Sequence, residues 1–308
     1  MSLNIQQIRI KLLHEKIRVI FLFVCLILSL ISFSKNKKNP PNGIRINDTL
    51  FIDETEVTNL DWQEYFYWTK RIYGDSVAKS KCGINEDLWI LDTIQVYGGP
   101  MKKYYFSHPA YMTYPAIGIS YQQAVEYCKW REDRVYEMSL TKNKIIPFPA
   151  TTDSNHVFII DGFLNGTYKC EIKNKNKLLE IPIYKYRLPT LEEFKTIEQD
   201  GYASYLKSIN SNTKIKRYRY SKSIIDSSDI TDITSDVHSN YPNKLGIFNL
   251  TQNVSEMTNI EGIAYGGNWT MKEIPKDYTA AYSEPTIWLG FRCIAIKTKF
   301  TDYNSIYK

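Results

Sequence analysis

"YGGNWTMKEIPKDYTAAYSEPTIWLGFRC" spans residues 265–293 and holds the features that decide the fold. The adjacent Gly266 and Gly267 let the backbone approach where a side chain would clash. Arg292 follows a phenylalanine, which indicates a planar charge held in an aromatic core. We therefore expect Gly266, Gly267, Trp269 and Arg292 to be structural residues. No cysteine lies inside this segment before its last residue. The meaning of that absence depends on the rest of the chain.

The composition is that of an ordered globular protein. Of 308 residues, 43% are hydrophobic and 23% are charged. The 24 tyrosines combine an apolar body with a polar tip and suit a fold that is rich in loops. Strand and helix signals do not alternate as they do in a parallel α/β protein. There is no glycine-rich phosphate loop and no G-x-S-x-G motif.

The positive charge of the chain belongs to its N-terminus. The chain has 39 basic and 33 acidic residues, of which 7 and 1 lie in residues 1–38, leaving 32 of each in the remainder. A neutral body argues against a nucleic-acid partner. The basic and aromatic run "KIKRYRY", Lys214 to Tyr220, is interpreted as a solvated strand and not as a base-stacking strip.

The N-terminus has the plan of an export signal. Basic residues precede the apolar run "VIFLFVCLILSLISF", Val19 to Phe33. This run is shorter than the roughly 20 residues that cross a bilayer comfortably. We predict a signal peptide or membrane anchor over residues 1–34 and a linker over residues 35–48. The body is then periplasmic or anchored facing the periplasm, and it meets the membrane only through the N-terminal segment.

Export makes the cysteines candidates for disulfides. Four of them lie outside the apolar run, which allows up to two bridges in an oxidising compartment: Cys82, Cys128, Cys170 and Cys293. A pairing of Cys82 with Cys170 is left open. There is no C-x-x-C motif, so zinc chemistry has no support. The four histidines also show no metal-ligand spacing.

Two helices carry clear start signals. Residues 50–57 are typical of a short strand, and Thr58 or Asn59 then caps a helix that ends at Gly74. Ser120 and Gln123 form a capping box for a second helix. Its inward face is predicted to hold Ala124, Val125, Cys128 and Val135.

The middle and the end of the chain give weaker signals. "FIIDGFLNGTYKC", residues 158–170, is interpreted as two strands joined by an Asn165-Gly166 turn. Thr190 with Glu193 forms another capping box. The polar residues 207–240 are expected to be surface loops, and a tail over residues 299–308 is expected to fray.

Six segments in order resemble the formylglycine-generating enzyme family, also called the sulfatase-modifying factor domain. They are "ETEVTN" (54–59), "YPAIGISYQQAVEYCKW" (114–130), "YRLPTLEEF" (186–194), "GIFNLTQNVSEMT" (246–258), "YGGNWT" (265–270) and "LGFRC" (289–293). The resemblance implies one compact α+β domain over residues 49–298, with much irregular structure and a C-type-lectin-like fold. An insertion is expected at about residues 135–184.

The resemblance also implies a disulfide and a metal site. The family's cysteine pair corresponds to Cys128 and Cys293, and closing that loop stabilises by on the order of 4 kcal/mol. The family's calcium loop corresponds to Asn249 and Glu256 through their side chains and to Gln252 and Val254 through backbone oxygens. Gln252 replaces the usual glycine of that loop.

The missing cysteines answer the question raised by the first segment. The family's oxidases hold copper(I) with two cysteines, five residues apart, between Gly-Gly and G-F-R-C. Here the first position falls at Met271 and the second at Pro275 or Lys276. A lone thioether does not replace two thiolates, so copper is not expected. A second branch of the family uses histidine-bound iron, and the scarcity of histidines argues against it.

The insertion makes the chain similar to exported, non-catalytic members of the family, such as gliding-motility and type IX secretion lipoproteins, although their lipid-bearing cysteine is lacking. We expect a pseudoenzyme that binds a protein partner, or a glycan, in the cell envelope. The alternatives are an oxidase acting on a protein cysteine and a calcium-dependent glycan binder.

Overall fold

The computed structural model describes residues 39–91, 98–148, 154–198, 233–240, 242–271, 274–275 and 277–305. Short strands and helices are separated by irregular segments, so the fold is the α+β class expected from the sequence. The strands are β1 (Gly43–Arg45), β2 (Leu50–Asp53), β3 (Ile183–Arg187), β4 (Ser255–Met257), β5 (Ile263–Tyr265), β6 (Thr279–Ala281), β7 (Leu289–Gly290) and β8 (Ile294–Thr298). The α-helices are α1 (Asn59–Tyr73), α2 (Asp75–Cys82), α3 (Leu88–Leu91), α4 (Gly98–Tyr104), α5 (Tyr121–Lys142), α6 (Ile160–Leu164) and α7 (Lys175–Glu180), and residues 191–198 are also helical.

The first sheet brings the two ends of the domain together. Its strand order is β1-β2-β8-β3, and all three pairings are antiparallel. Phe51 and Ala295 are paired and both belong to the hydrophobic cluster that also contains residues of α1 and α5. The next pair, Ile52 with Ile294, belongs to a different cluster. Because successive side chains alternate between faces, this sheet is buried on both sides.

The domain begins earlier than the predicted linker allows. Strand β1 lies inside residues 35–48 and pairs with β2 through Ile44 and Ile52. The Pro41 carbonyl accepts a hydrogen bond from Arg131, and Glu54 donates its N–H to the Asn42 carbonyl. Pro40 and Pro41, inside the predicted linker, therefore lie at the entry to the sheet and not in a free connection.

The second sheet carries Glu256, and Val254, Gly266 and Arg292 lie directly beside its strands. Its strand order is β6-β5-β4-β7. Strands β4 and β7 run parallel, so that Glu256 lies opposite Gly290, and the other pairings are antiparallel. This arrangement places the loop before β4 next to the Gly-Phe-Arg-Cys segment that follows β7.

Helix α1 confirms its predicted start and end. Thr58 is the N-cap, and it forms a reciprocal capping box with Asp61. Trp62 is buried, and the helix ends at Gly74, whose φ of 89° favours glycine. The aromatic stripe of α1 packs in the core, where Trp62 stacks on Tyr127 of α5 at 5.7 Å between ring centroids.

Helix α5 starts as predicted, with Ser120 and Gln123 forming the capping box. Ala124 and Cys128 are buried in the core and Val135 packs against it. The prediction for Val125 is wrong, because its side chain is 37% exposed. The core contacts α5 through the positions nearest Ala124 and Cys128, and the residue directly after Ala124 is turned away from that face by about 100°.

The insertion has a hydrophobic core of its own. Tyr136 and Leu140 at the end of α5 pack with Phe158, Ile160 and other buried residues of residues 135–184. The predicted hairpin over residues 158–170 is wrong, since α6 occupies its first half and no strand is present in that stretch. Asp133 accepts the Ile160 N–H, which fixes the start of this helix on α5. The Asn165-Gly166 turn is present and ends α6.

The C-terminal segment is docked and does not fray over its described part. Residues Phe300–Ser305 form a 3-10 helix. Tyr303 is 3% exposed, and its hydroxyl donates to the buried Glu132 at 2.6 Å. Lys185 donates to the Tyr303 carbonyl at 2.7 Å and lies over the tyrosine ring. The tail therefore completes the core of the insertion.

Two sequence predictions lie outside the described residues. These are the apolar run Val19 to Phe33 and the basic run Lys214 to Tyr220. Within the part of the chain that the structure describes, no helix has both the length and the apolar character needed to span a membrane.

Candidate functional site

A buried ion pair lies where the segments after β2, before β4 and after β7 meet. Arg292 donates from Nε and Nη2 to the two carboxylate oxygens of Glu256, each at 2.6 Å, and both side chains are fully buried. The same guanidinium donates to the carbonyls of Asp53, at 3.1 Å, and Phe248, at 2.7 Å. Arg292 therefore ties β4 to the loops that follow β2 and precede β4.

A second buried carboxylate extends this network. Glu56 lies 3.9 Å from the Arg292 guanidinium. It accepts hydrogen bonds from the amide nitrogens of Asn249, at 3.2 Å, and Asn253, at 2.9 Å. Asn249 and Asn253 have φ angles of 55° and 69°, a left-handed conformation that asparagine tolerates better than most residues. These two turns aim both amides at one carboxylate.

A neighbouring ion pair anchors the cysteine segment. Arg131 of α5 binds Asp53 with two hydrogen bonds of 2.6 and 2.8 Å, and the guanidinium lies 4.6 Å from the Tyr186 ring centroid. Asp53 also accepts the Cys293 N–H at 2.9 Å. The two buried arginines are thus linked through Asp53. Arg131 binds its carboxylate, Arg292 binds its carbonyl, and the same carboxylate holds the N–H of Cys293, the residue after Arg292.

The pKa values of the buried carboxylates Glu56 and Glu256 are raised. Burial raises the pKa of Glu56 to about 8, since the attraction to Arg292 offsets only part of the desolvation cost and Glu256 adds repulsion. Burial also raises the pKa of Glu256, against the opposing effect of Arg292. Arg292 contacts Glu256 with two hydrogen bonds and Glu56 only at longer range, so we place the proton on Glu56.

Cys128 and Cys293 are adjacent in the core. Their sulfurs are 3.4 Å apart, longer than the roughly 2.05 Å of a disulfide, so both are thiols in this structure. Burial raises the pKa of the Cys293 thiol well above its usual value. The disulfide stays a prediction. Cys82 and Cys170 are also free thiols and pack in different hydrophobic clusters.

The glycine and tryptophan positions hold the second sheet. Gly266 has a φ of 79°, and a Cβ there would lie 2.8 Å from the Leu250 carbonyl oxygen, so the backbone needs glycine. Trp269 is buried and donates from Nε1 to the Ile287 carbonyl at 3.0 Å. Its backbone N–H donates to the Asn253 carbonyl at 2.9 Å. These contacts join the segment after β5 to the loop that presents Asn253.

The sequence matches the family of sulfatase-modifying factor enzyme 1-like domains over residues 28–296. The chain belongs to this family. In sequence, no curated protein matches it.

Solved structures of related shape were also found. CarF is 19% identical, with a TM-score of 0.42, over 80% of this chain and 86% of CarF. PvdO from Pseudomonas aeruginosa is 16% identical, with a TM-score of 0.31, over 60% of this chain and 63% of that one. Variable protein 1 of Treponema denticola is 15% identical, with a TM-score of 0.37, over 83% and 91% of the two chains.

The segment that corresponds to the copper-binding positions of the family's oxidases contains a buried apolar side chain. Met271 is partly exposed, Pro275 is exposed, and Lys276 lies outside the described residues. Ile274 is buried, and a Cβ on Gly267 would lie 2.4 Å from its Cγ1. Within the described ranges, no three His, Cys, Asp or Glu side chains are grouped so that they could hold a metal. Copper(I) does not fit this donor set.

The predicted calcium residues lie in one loop, but the side-chain oxygens of Asn249 and Glu256 already have protein donors. Both carboxylate oxygens of Glu256 accept from Arg292. The Asn249 side-chain oxygen accepts from Asn240 at 2.8 Å. Gln252 is partly exposed at the turn, and Val254 is buried before β4. Calcium would have to displace these donors, so the arrangement does not fit the ion, and its binding stays a prediction.

Sequence reasoning missed the contribution of residues 233–240. The prediction of surface loops for residues 207–240 is wrong for this described part, because Thr234 and Val237 are 1% and 0% exposed. Thr234 hydrogen-bonds the Tyr105 hydroxyl at 2.7 Å, and the Val237 carbonyl accepts from Asn249 at 3.0 Å. Polar contacts hold this stretch in place, so its sequence lacks the periodic apolar residues that would have predicted burial.

Proposed function

We propose that this protein is an exported, non-catalytic member of the family that binds a protein partner in the cell envelope. One observation carries the proposal. At the two positions where the oxidases hold copper, the chain has no thiol, and Ile274 between them is buried against Gly267. The N-terminal apolar run supports the assignment to the envelope.

The missing ligands matter because of their chemistry. Copper(I) is bound by soft thiolates, and a pair of them sets both affinity and geometry. Met271 offers one thioether, which is a weaker ligand, and the chain holds no cysteine between Cys170 and Cys293. Family membership alone supports the alternative of an oxidase.

The insertion supports a binding role. It has its own hydrophobic core, so it is an ordered addition to the domain. Large apolar side chains are exposed on it, at 49% for Met138, 74% for Phe148, 40% for Ile159 and 55% for Leu179. Exposed apolar residues of this kind are common at protein interfaces.

An oxidase assay tests the proposal. The purified chain is incubated with copper(I), oxygen, a reductant and a peptide that carries a sulfatase-type cysteine, and mass spectrometry follows conversion of the thiol to an aldehyde. We expect no aldehyde above the rate without protein. The matched variant carries Met271→Cys and Lys276→Cys, and we expect it to gain tight copper(I) binding. Aldehyde formed in proportion to the unaltered protein would refute the proposal.

The partner is sought by cross-linking. A photoreactive residue at Ile159, and the same residue at the exposed Ile260 as a control, are introduced into the full chain in cells. We expect one envelope protein to be captured from Ile159 and not from Ile260. Equal capture from both positions would indicate non-specific contact.

A further inference from the structure

One end of the insertion carries a cluster of exposed lysines that comes from two separate elements. Lys142 and Lys144 lie at the C-terminal end of α5, and Lys173, Lys175 and Lys177 lie at the start of α7. Backbone contacts hold the two groups together. Lys173 donates its N–H to the Ile145 carbonyl at 3.0 Å, and the Lys177 ammonium lies 3.5 Å from the Asn143 carbonyl.

These charges are not balanced locally. Among the described residues, none of the five lysines forms a salt bridge, and four of them are exposed. The acidic residues of the same stretch, Glu171 and Glu180, are exposed and pair with none of them. A cation at a helix C-terminus complements the helix dipole, which accounts for Lys142 and Lys177 but not for Lys144, Lys173 and Lys175. The cluster also contrasts with the neutral body of the chain.

Exposed apolar side chains flank the cluster. Phe148 follows Lys144 by four residues and is 74% exposed, and Leu179 lies four residues after Lys175, on the same face of α7, and is 55% exposed. Lysines around an exposed aromatic and an aliphatic side chain form the pattern of a surface that meets a bilayer. The ammonium groups attract anionic headgroups while the apolar groups enter the acyl boundary.

We propose that the lysine cluster, with Phe148 and Leu179, docks on the surface of an anionic phospholipid bilayer. The N-terminal segment is then not the only contact with the membrane. This docking does not depend on whether the segment around Met271 is catalytic. It assigns Phe148 and Leu179 to the bilayer and leaves exposed Met138 and Ile159 for the protein partner, so either proposal can fail without the other.

The test measures amide hydrogen exchange of the full chain in bilayer discs of neutral phospholipid and in discs that contain anionic phospholipid. We expect slower exchange over residues 142–148 and 173–179 in the anionic discs only, and reversal by added salt. Each lysine at the surface contributes about five-fold to the docking equilibrium. Lys142, Lys144, Lys173 and Lys175 are changed together to Gln, which should abolish the difference between the discs.

The matched control removes the same charge elsewhere, by changing Lys103, Lys129, Lys244 and Lys297 to Gln. It should keep the protection, and an unchanged urea midpoint in both variants shows that the fold is intact. Equal exchange in the two kinds of disc, or equal loss of protection in both variants, overturns the proposal. Protection by polyglutamate but not by anionic discs also overturns it and identifies an acidic protein as the partner.

Discussion

Arg292→Met is the perturbation that tests the role of the buried charge network most directly. It leaves the Glu256 carboxylate in the core without its cation, next to protonated Glu56, and it removes donors from the Asp53 and Phe248 carbonyls. Removing one partner of a buried pair costs about 3–5 kcal/mol. Since small domains are stable by about 5–15 kcal/mol, this single change consumes a large part of the free energy of unfolding.

A second arginine in the same chain provides the control. Arg187 binds Glu193 through Nη1 and Nη2 with two hydrogen bonds of 2.8 and 2.6 Å, so this pair is also doubly hydrogen-bonded, but the side chains are 35% and 18% exposed. Arg187→Met should therefore cost less than about 1 kcal/mol. The difference between the two variants isolates the effect of burial.

Urea denaturation followed by tryptophan fluorescence measures both costs. If Arg292→Met does not fold, Arg292→Lys keeps the charge without the double hydrogen bond and should cost about 1–3 kcal/mol. Adding Glu256→Gln to Arg292→Met should recover part of the loss, because one stranded charge is then removed. Equal costs for the Arg292 and Arg187 variants would refute the claim that this network holds the fold.

Three further predictions concern other parts of the core. The folded state keeps a proton on Glu56 that the unfolded chain releases near pH 4.5, so this contribution to stability is complete below that pH and is lost as the pH rises to about 8. Glu56→Gln should flatten the pH dependence of the free energy of unfolding, measured by urea titration across this range. An unchanged pH dependence would contradict the protonation of Glu56. Under oxidising conditions, Cys128 and Cys293 should form one disulfide worth about 4 kcal/mol, seen in a non-reducing peptide map and absent in Cys128→Ser. Tyr303→Phe should cost about 1–3 kcal/mol, because buried Glu132 loses a donor, and proteolysis should then begin at the C-terminus; an unchanged midpoint would show that the tail is held by apolar contacts alone.

Local signals predicted the elements with strong caps. The boxes at Thr58, Ser120 and Thr190 are all present, since each is decided by residues three apart in the chain. The hairpin over residues 158–170 failed for the opposite reason. Its backbone is organised by Asp133 of α5, a long-range contact that the local pattern of apolar residues does not contain.

The candidate site was predicted in part. The family resemblance singled out Asn249 and Glu256 as calcium ligands, and Arg292 was expected to be structural; the structure joins the three through Glu56, which accepts from Asn249 and lies beside Arg292. The resemblance did not identify Glu56 as the acceptor for two asparagine amides, although "ETEVTN" was noted as a motif. A carboxylate buried far from its partners in sequence leaves no periodic signal, and only the positive-φ asparagines could have hinted at it.

The contacts of Arg292 explain how the fold tolerates changes in the segment after Trp269. Among the described residues, the partners of Arg292 lie in β2, in β4 or in the loops beside these strands, and none of them is Met271, Ile274 or Pro275. In the described part of residues 270–275, Ile274 is the one buried side chain, and it packs on Gly267. A substitution at Met271 or Pro275 therefore removes none of the hydrogen bonds of the charge network. The residues at these positions can vary while the network that joins β2 to β4 stays intact.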